Sequence, residues 1–207
     1  MDISDIQSGE LAPPDVRERF FGYDSNFASP PDPVRLRPLV ATDIGLLFRW
    51  CNLPEVTAYM YRDHEITYQE HREWFQSERD DWVRWVAEAD GEPIGFAQIT
   101  HINRKDGTFE WGDYIADPAA RGKGYGKWIK YLLHEHGFDV LGLRKAWCEV
   151  FAENQGVWLS HLKFGYRMEG YFLKHVMKGG EAKDVVRVGM LDIEWRAQKA
   201  RIRDGLR

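Results

Sequence analysis

The sequence predicts an α/β domain built on a mixed sheet with helices on both faces. Three observations carry this reading. Two alternating segments, residues 82–89 and 94–99, flank Asp90-Gly91, a dipeptide that tolerates positive φ, and together they read as a hairpin. Between residues 108 and 151 a strand, a glycine-rich loop, a helix and a second strand follow one another. Two last strands, about residues 166–177 and 185–191, enclose the turn Lys178-Gly179-Gly180-Glu181.

The other elements fall into place around these. Residues 1–33, with Pro13-Pro14, Pro30-Pro31 and Pro33, read as an extended arm. Residues 34–39 alternate as a strand, and Thr42-Asp43 caps a helix whose apolar positions are Ile44, Leu47, Phe48 and Cys51. Thr67-Tyr68-Gln69-Glu70 is a capping box, and Tyr68, His71, Trp74 and Phe75 share the face of the helix it opens. Pro118 stops the strand that begins at Thr108, and a helix runs from Gly126 to about Gly137 or Phe138. A further helix over residues 156–164 closes on Gly165. The domain is thus assigned to residues 34–192, followed by a charged helical segment over 193–207.

Bulk properties narrow the function. A chain of 207 residues, 43% apolar, fits one domain with one substantial core. The formal net charge of -5 speaks against nucleic acid or an anionic membrane as partner. No apolar run approaches the roughly 20 residues of a membrane span, and residues near the start lack a basic and apolar leader. Cys51 and Cys148 lie far apart in apolar stretches, which fits reduced thiols and a cytoplasmic location. Nine tryptophans fit first a well-packed core and also an enzyme that holds an extended ligand.

The loop Arg121-Gly122-Lys123-Gly124-Tyr125-Gly126 follows a strand and opens a helix. Its glycines let the backbone approach a ligand and aim several N–H groups at one point, as a pyrophosphate needs, although a tight connection with no ligand would use them too. The dinucleotide fingerprint G-x-G-x-x-G and the Gly-Lys-Ser/Thr of triphosphate loops are both absent. With Asp117-Pro118-Ala119-Ala120 before it, the loop resembles the acetyl-CoA loop Arg/Gln-x-x-Gly-x-Gly/Ala of the GNAT superfamily. A second block, Asn154, Lys163, Gly165, Tyr166 and Gly170, is similar to that family's N…K-x-G-F…E-G pattern, so the likeness spans about residues 34–191. The resemblance implies the acyl-CoA N-acyltransferase fold, α/β (α+β) with a mostly antiparallel, splayed central sheet, and acetyl-CoA as co-substrate with no metal.

By the same resemblance, Gly122, Lys123, Gly124, Tyr125 and Gly126 would hold the pyrophosphate beside Arg121. Tyr114, Ile115 and Ala116 would pair with the pantetheine and supply an oxyanion donor, and Asn154 would contact the pantetheine or cap its turn. Acetyl transfer needs a base for an amine that is protonated at neutral pH and an acid for the departing thiolate. Glu110, eleven residues before Arg121, resembles the base glutamate of histone-acetylating members; a solvated strand glutamate is the alternative. Asp113 is the reserve, on the opposite strand face. His161 stands seven positions after Asn154, where many GNAT enzymes carry a tyrosine acid, and with an ordinary pKa near ~6.5 it would donate or simply pack. Ser160 is a weaker alternative.

The acceptor expected is a small-molecule primary amine, attacked directly in a ternary complex. Residues 50–71, with the blocks around His161 and Lys178, resemble acetyltransferases of UDP-linked 4-amino-4,6-dideoxy sugars in pseudaminic acid synthesis, which implies an amino sugar. The same features occur in spermidine acetyltransferases and in enzymes that modify protein N-termini, and Glu55, Asp63, Glu65 and Glu70 would suit a polyamine or form a solvated face. A non-catalytic acyl-CoA sensor is the reading from another class. His64 and His71 lack metal-ligand spacing, and a homodimer through the arm before Val34 stays open.

Overall fold

The computed structural model describes residues 32–77 and 79–206. The arm assigned to residues 1–33 lies outside the described residues except for Asp32 and Pro33. Seven strands form one sheet: β1 Val34–Pro38, β2 Val83–Ala89, β3 Glu92–Asn103, β4 Thr108–Ile115, β5 Lys145–Phe151, β6 Arg167–Lys178 and β7 Glu181–Leu191. Their order is β1-β2-β3-β4-β5-β7-β6. Every neighbouring pair is antiparallel except β4 and β5, which run parallel. This is the mixed, mostly antiparallel, splayed sheet that the resemblance implied.

Local chemistry explains most boundaries. Asp90 and Gly91 adopt φ of 54° and 82°, the left-handed pair that a two-residue hairpin requires. Gly179 and Gly180, at 58° and 79°, do the same for β6 and β7. Both hairpins run longer than alternation suggested: β3 continues past residue 99 through a bulge at Thr100–Asn103, and β7 begins at Glu181 rather than 185.

Helices cover both faces. On one side lie α1 Ile44–Cys51, α2 Pro54–Thr57 and α3 Tyr68–Gln76. Leu47 packs there with Val86 and Phe96, joined by Trp50, Trp74 and Tyr114. The capping box of α3 forms as predicted: Thr67 N donates to Glu70 Oε2 at 2.8 Å, and Glu70 N to Thr67 Oγ1 at 3.3 Å. Asp43, expected to cap α1, instead accepts from Val40 N at 2.8 Å and from the Arg37 guanidinium at 2.9 Å. A buried carboxylate is better satisfied by that bidentate fork than by helix amides alone.

On the other side lie α4 Tyr125–His134, α5 Gln155–Phe164 and α6 Asp192–Asp204. α4 runs on as a wider π turn over Glu135–Val140, ending shortly after the Gly137 or Phe138 expected. A Cβ at Gly137 would lie 2.3 Å from the Phe109 ring, so the glycine makes room for the sheet and does not end the helix. Trp195 of α6 is fully buried against Tyr131, Phe138 and Phe164. The charged segment expected over residues 193–207 is helical as far as Asp204, and through Trp195 it contributes to the core. Arg203 reaches back to pair with Asp32 at 3.0 Å.

Candidate active site

The site begins where the sheet opens. β4 and β5 pair only at Thr108↔Lys145, Phe109↔Ala146 and Glu110↔Trp147, after which the strands diverge. The rest of β4, up to Ile115, faces a gap whose far wall is the rest of β5. Main-chain groups along such an edge remain free to pair with an extended ligand.

The glycine-rich loop lies at the end of this gap. Asp117 Oδ1 accepts from Ala119 N at 2.9 Å, closing a short turn that leads into the loop. Gly122 and Gly124 have φ of 75° and 84°, and Gly124 is the N-cap of α4 with no side-chain cap. Helix geometry leaves the first amides of α4 without intrahelical partners, and the helix dipole adds partial positive charge there. Gly126 is the informative position: a Cβ there would meet only Ile115 Cδ1 at an ordinary 3.8 Å. The fold itself does not require that glycine, and a group approaching the amides closely would. The residues present therefore fit a pyrophosphate.

Arg121 braces the loop. Its Nε donates to Ile115 O at 3.1 Å, one terminal nitrogen to Ala116 O at 3.2 Å, and the same nitrogen pairs with Glu55 at 3.2 Å. The amide of Ala116 is also committed, to Ile94 O at 2.9 Å, which removes it as the oxyanion donor proposed from sequence. Lys123 is exposed on the loop, and the Tyr125 hydroxyl donates to Asp90 at 3.4 Å. Asn154, half-buried at the N-terminus of α5 beside the open end of β5, makes no side-chain cap there.

Strand alternation sends Glu110 and Asp113 to opposite faces. Glu110 lies on the α1 and α3 side, where its carboxylate pairs with His101 Nδ1 at 2.7 Å and accepts from Thr100 Oγ1 at 3.4 Å. Burial raises its pKa above the usual carboxylate range; His101 opposes this and nearby Glu149 adds to it. Around it stand Tyr61, from the stretch 50–71 that the sequence linked to the acceptor, and residues that the sequence had not singled out. Glu149 accepts from the Tyr61 hydroxyl at 2.9 Å and pairs with Arg187 at 2.6 Å, and Arg187 lies 4.3 Å over the Trp147 ring. These come from β3, β4, β5, β7 and the chain after α2, so no sequence spacing could have gathered them.

Of the four acidic residues considered for the acceptor, Glu70 serves its cap and pairs with exposed His64, Glu55 pairs with Arg121, and Asp63 accepts from Gly179 N. His71 is buried against Ile44 O and takes no part in the gap. Among the described residues no three His, Cys, Asp or Glu side chains gather as a metal site would need. No helix among them is long and apolar enough to cross a membrane. Both cysteines are free thiols.

His161 is packed into the core, one of the two readings left open for it. It is 5% exposed, packed edge-on to Trp111, with Nδ1 2.7 Å from Lys130 Nζ. Burial, with the neighbouring Lys130 charge, pushes its pKa down to about 2, so the ring is neutral and cannot act as an imidazolium near neutral pH. Asp113, on this same face, is pushed up to about 6 by burial.

Comparison with known proteins agrees with this geometry. The Acetyltransferase (GNAT) domain family matches residues 34–167, more than half of the chain. The spermidine N(1)-acetyltransferase of Escherichia coli is 27% identical over 171 residues, covering 80% of this chain and 89% of that one. The Vibrio cholerae spermidine N(1)-acetyltransferase is 24% identical over 163 residues, covering 77% and 94%. A crystal structure of spermidine N-acetyltransferase from Vibrio cholerae with CoA and spermine superposes with a TM-score of 0.75 at 22% identity, over 79% of this chain and 98% of that one. A GCN5-related N-acetyltransferase from Brucella melitensis gives 0.72 at 26% identity, over 86% and 84%. These similarities lie with spermidine enzymes and not with the nucleotide-sugar acetyltransferases that the first half of the sequence suggested. The matched domain, the splayed sheet and the open glycine loop together place this chain in the GNAT acetyltransferase family, as an acetyl-CoA-dependent N-acetyltransferase.

Proposed function

We propose that the acceptor is the primary amine of a polyamine-type small molecule, and that Glu110 takes the proton that the amine must lose before it attacks the acetyl carbonyl. The observation that carries this is a half-buried carboxylate at the start of the β4–β5 gap, with a pKa raised by burial. Such a group accepts a proton from an ammonium more readily than an ordinary surface carboxylate does. Glu149 supports the same reading, since a second carboxylate beside the first favours a cationic guest, and the spermidine relatives point the same way. Trp147 and Tyr61 offer flat walls to methylene segments.

In this reading the amides of residues 122–126 hold the CoA pyrophosphate, the Ile115 amide on the edge of β4 facing the gap pairs with the pantetheine while Tyr114 pairs with Phe96 of β3, and Asn154 contacts it from α5. The amine then attacks directly in a ternary complex. The test is acetyl-CoA-dependent thiol release across spermidine, spermine, amino sugars, UDP-amino sugars and peptides. We expect polyamines to exceed sugar amines at least about tenfold in kcat/KM, a difference of about 1.4 kcal/mol in transition-state binding. Preference for a sugar amine would return the acceptor to the nucleotide-sugar class, and thermal stabilisation by acetyl-CoA with no thiol release would favour a sensor.

A further inference from the structure

A second group of titratable side chains lies on the face of β4 opposite Glu110, and the reaction above does not use it. Lys130 of α4 is only 6% exposed, and among the described residues it forms no ion pair with a carboxylate. Its Nζ donates to His161 Nδ1 at 2.7 Å and to Ser160 Oγ at 3.4 Å, and it lies 5.1 Å from the Phe164 ring and 5.7 Å from Trp111. The titratable groups facing this cluster are Asp113 from β4, Cys148 from β5, His161 from α5, Lys127 and His134 from α4, and Tyr166 just before β6, whose ring lies 5.9 Å from that of His161 and whose hydroxyl bonds His134. Asp113 and Cys148 belong to the two strands that diverge, which places the ammonium beneath the gap. An ammonium has no acceptor, so Nδ1 of His161 must be the bare nitrogen and Nε2 carries the hydrogen. No bond is assigned to that Nε2–H among the described residues.

Resting on the acetyl-transfer reading, we propose that Lys130 and His161 form a proton relay to the departing CoA thiolate, with His161 Nε2–H as donor and Lys130 as the positioning residue that resupplies it. The amine nitrogen bonds to the acetyl carbon and the C–S bond breaks, its electron pair going to sulfur. The Nε2 proton passes to sulfur as Nδ1 takes a proton from Lys130, so the imidazole stays neutral throughout. As products leave, Nε2 takes a proton from solvent and Nδ1 returns its own to Lys130; the amine's remaining proton departs through Glu110. A relay of this kind resolves the low basicity of His161, which rules out a standing imidazolium. Burial also lowers the Lys130 pKa to about 8, leaving it mostly charged at neutral pH yet readier than an ordinary lysine to give up its proton.

The test is the pH profile of kcat with saturating spermidine and acetyl-CoA. Wild type should lose kcat above about pH 8 as Lys130 becomes neutral. Lys130→Met should lower kcat at least about tenfold, keep the acetyl-CoA KM within about threefold and abolish that limb, while Lys130→Arg should restore part of kcat and move the limb to higher pH. A wild-type kcat that stays level to about pH 9.5, or a Lys130→Met enzyme within about twofold of wild type with the limb intact, overturns the relay and leaves acetyl transfer standing. If Lys130→Met does not fold, the wild-type profile and Lys130→Arg decide. Wild type that releases no thiol with any amine overturns both readings.

Discussion

The two ends of the site are built differently. The cofactor end is main chain: two glycines with left-handed φ, a helix N-terminus without a side-chain cap, and a strand edge released from its neighbour. The acceptor end is side chain: Glu110, Glu149, Tyr61, His101 and Arg187 converge from five separate parts of the chain. A backbone site must be written in consecutive residues, because φ and amide direction are local properties, whereas a side-chain site exists only once the sheet has formed. The first tolerates little change and the second can be retuned, as the wide range of acceptors served by one fold suggests.

The sharpest way to break this contrast is Gly126→Val. Its Cβ meets no closer contact than 3.8 Å, so we expect a melting temperature within a few degrees of wild type, about 1 kcal/mol or less, alongside an approximately hundredfold loss of acetyl-CoA affinity. Equal losses of stability and affinity would mean that the loop is a structural connection only. On the acceptor side, Glu110→Gln should lower kcat about a hundredfold at pH 7 and remove the low-pH limb of the profile, with acetyl-CoA affinity unchanged. Tyr61→Phe removes the 2.9 Å bond to Glu149 and should raise the amine KM only a few-fold, seen in initial rates.

The same contrast decides how much was legible. The sheet, its hairpins, the loop and the face of Glu110 followed from period, turn chemistry and motif. The acceptor wall did not, nor did the burial of His161, because both depend on packing between distant elements. The helix of α6 was legible and its packing was not: nothing in a charged segment announces that one residue, Trp195, fills the core between α4 and α5. Lys130 left a faint signal, a lone lysine among Trp128, Ile129, Tyr131 and Leu133 on the inward run of α4.

The core beneath the cofactor end makes a prediction of its own. His134 and His161 are buried and neutral, with pKa values pushed down to about 3 and about 2. Each is lower in the fold than in the unfolded chain, so the unfolded state binds more protons below about pH 6.5, and stability is complete above that value and lost as pH falls. Asp113, raised to about 6, acts in the opposite direction and offsets about one proton. His136, lowered to about 4 by burial, acts in the same direction as the other two histidines, so the unfolding free energy should fall by on the order of 4 kcal/mol between about pH 6.5 and 5, measurable as a lower urea midpoint. Stability that is flat across this window would mean that these histidines are not held neutral.

Calorimetry most directly tests whether main-chain amides at residues 122–126 grip the cofactor's diphosphate. Acetyl-CoA should titrate the intact chain with a saturable heat, and S-acetylpantetheine, which lacks the diphosphate, should bind at least about a hundredfold more weakly, a difference of about 2.7 kcal/mol. Equal affinity for the two compounds, or no heat from acetyl-CoA, would contradict the account.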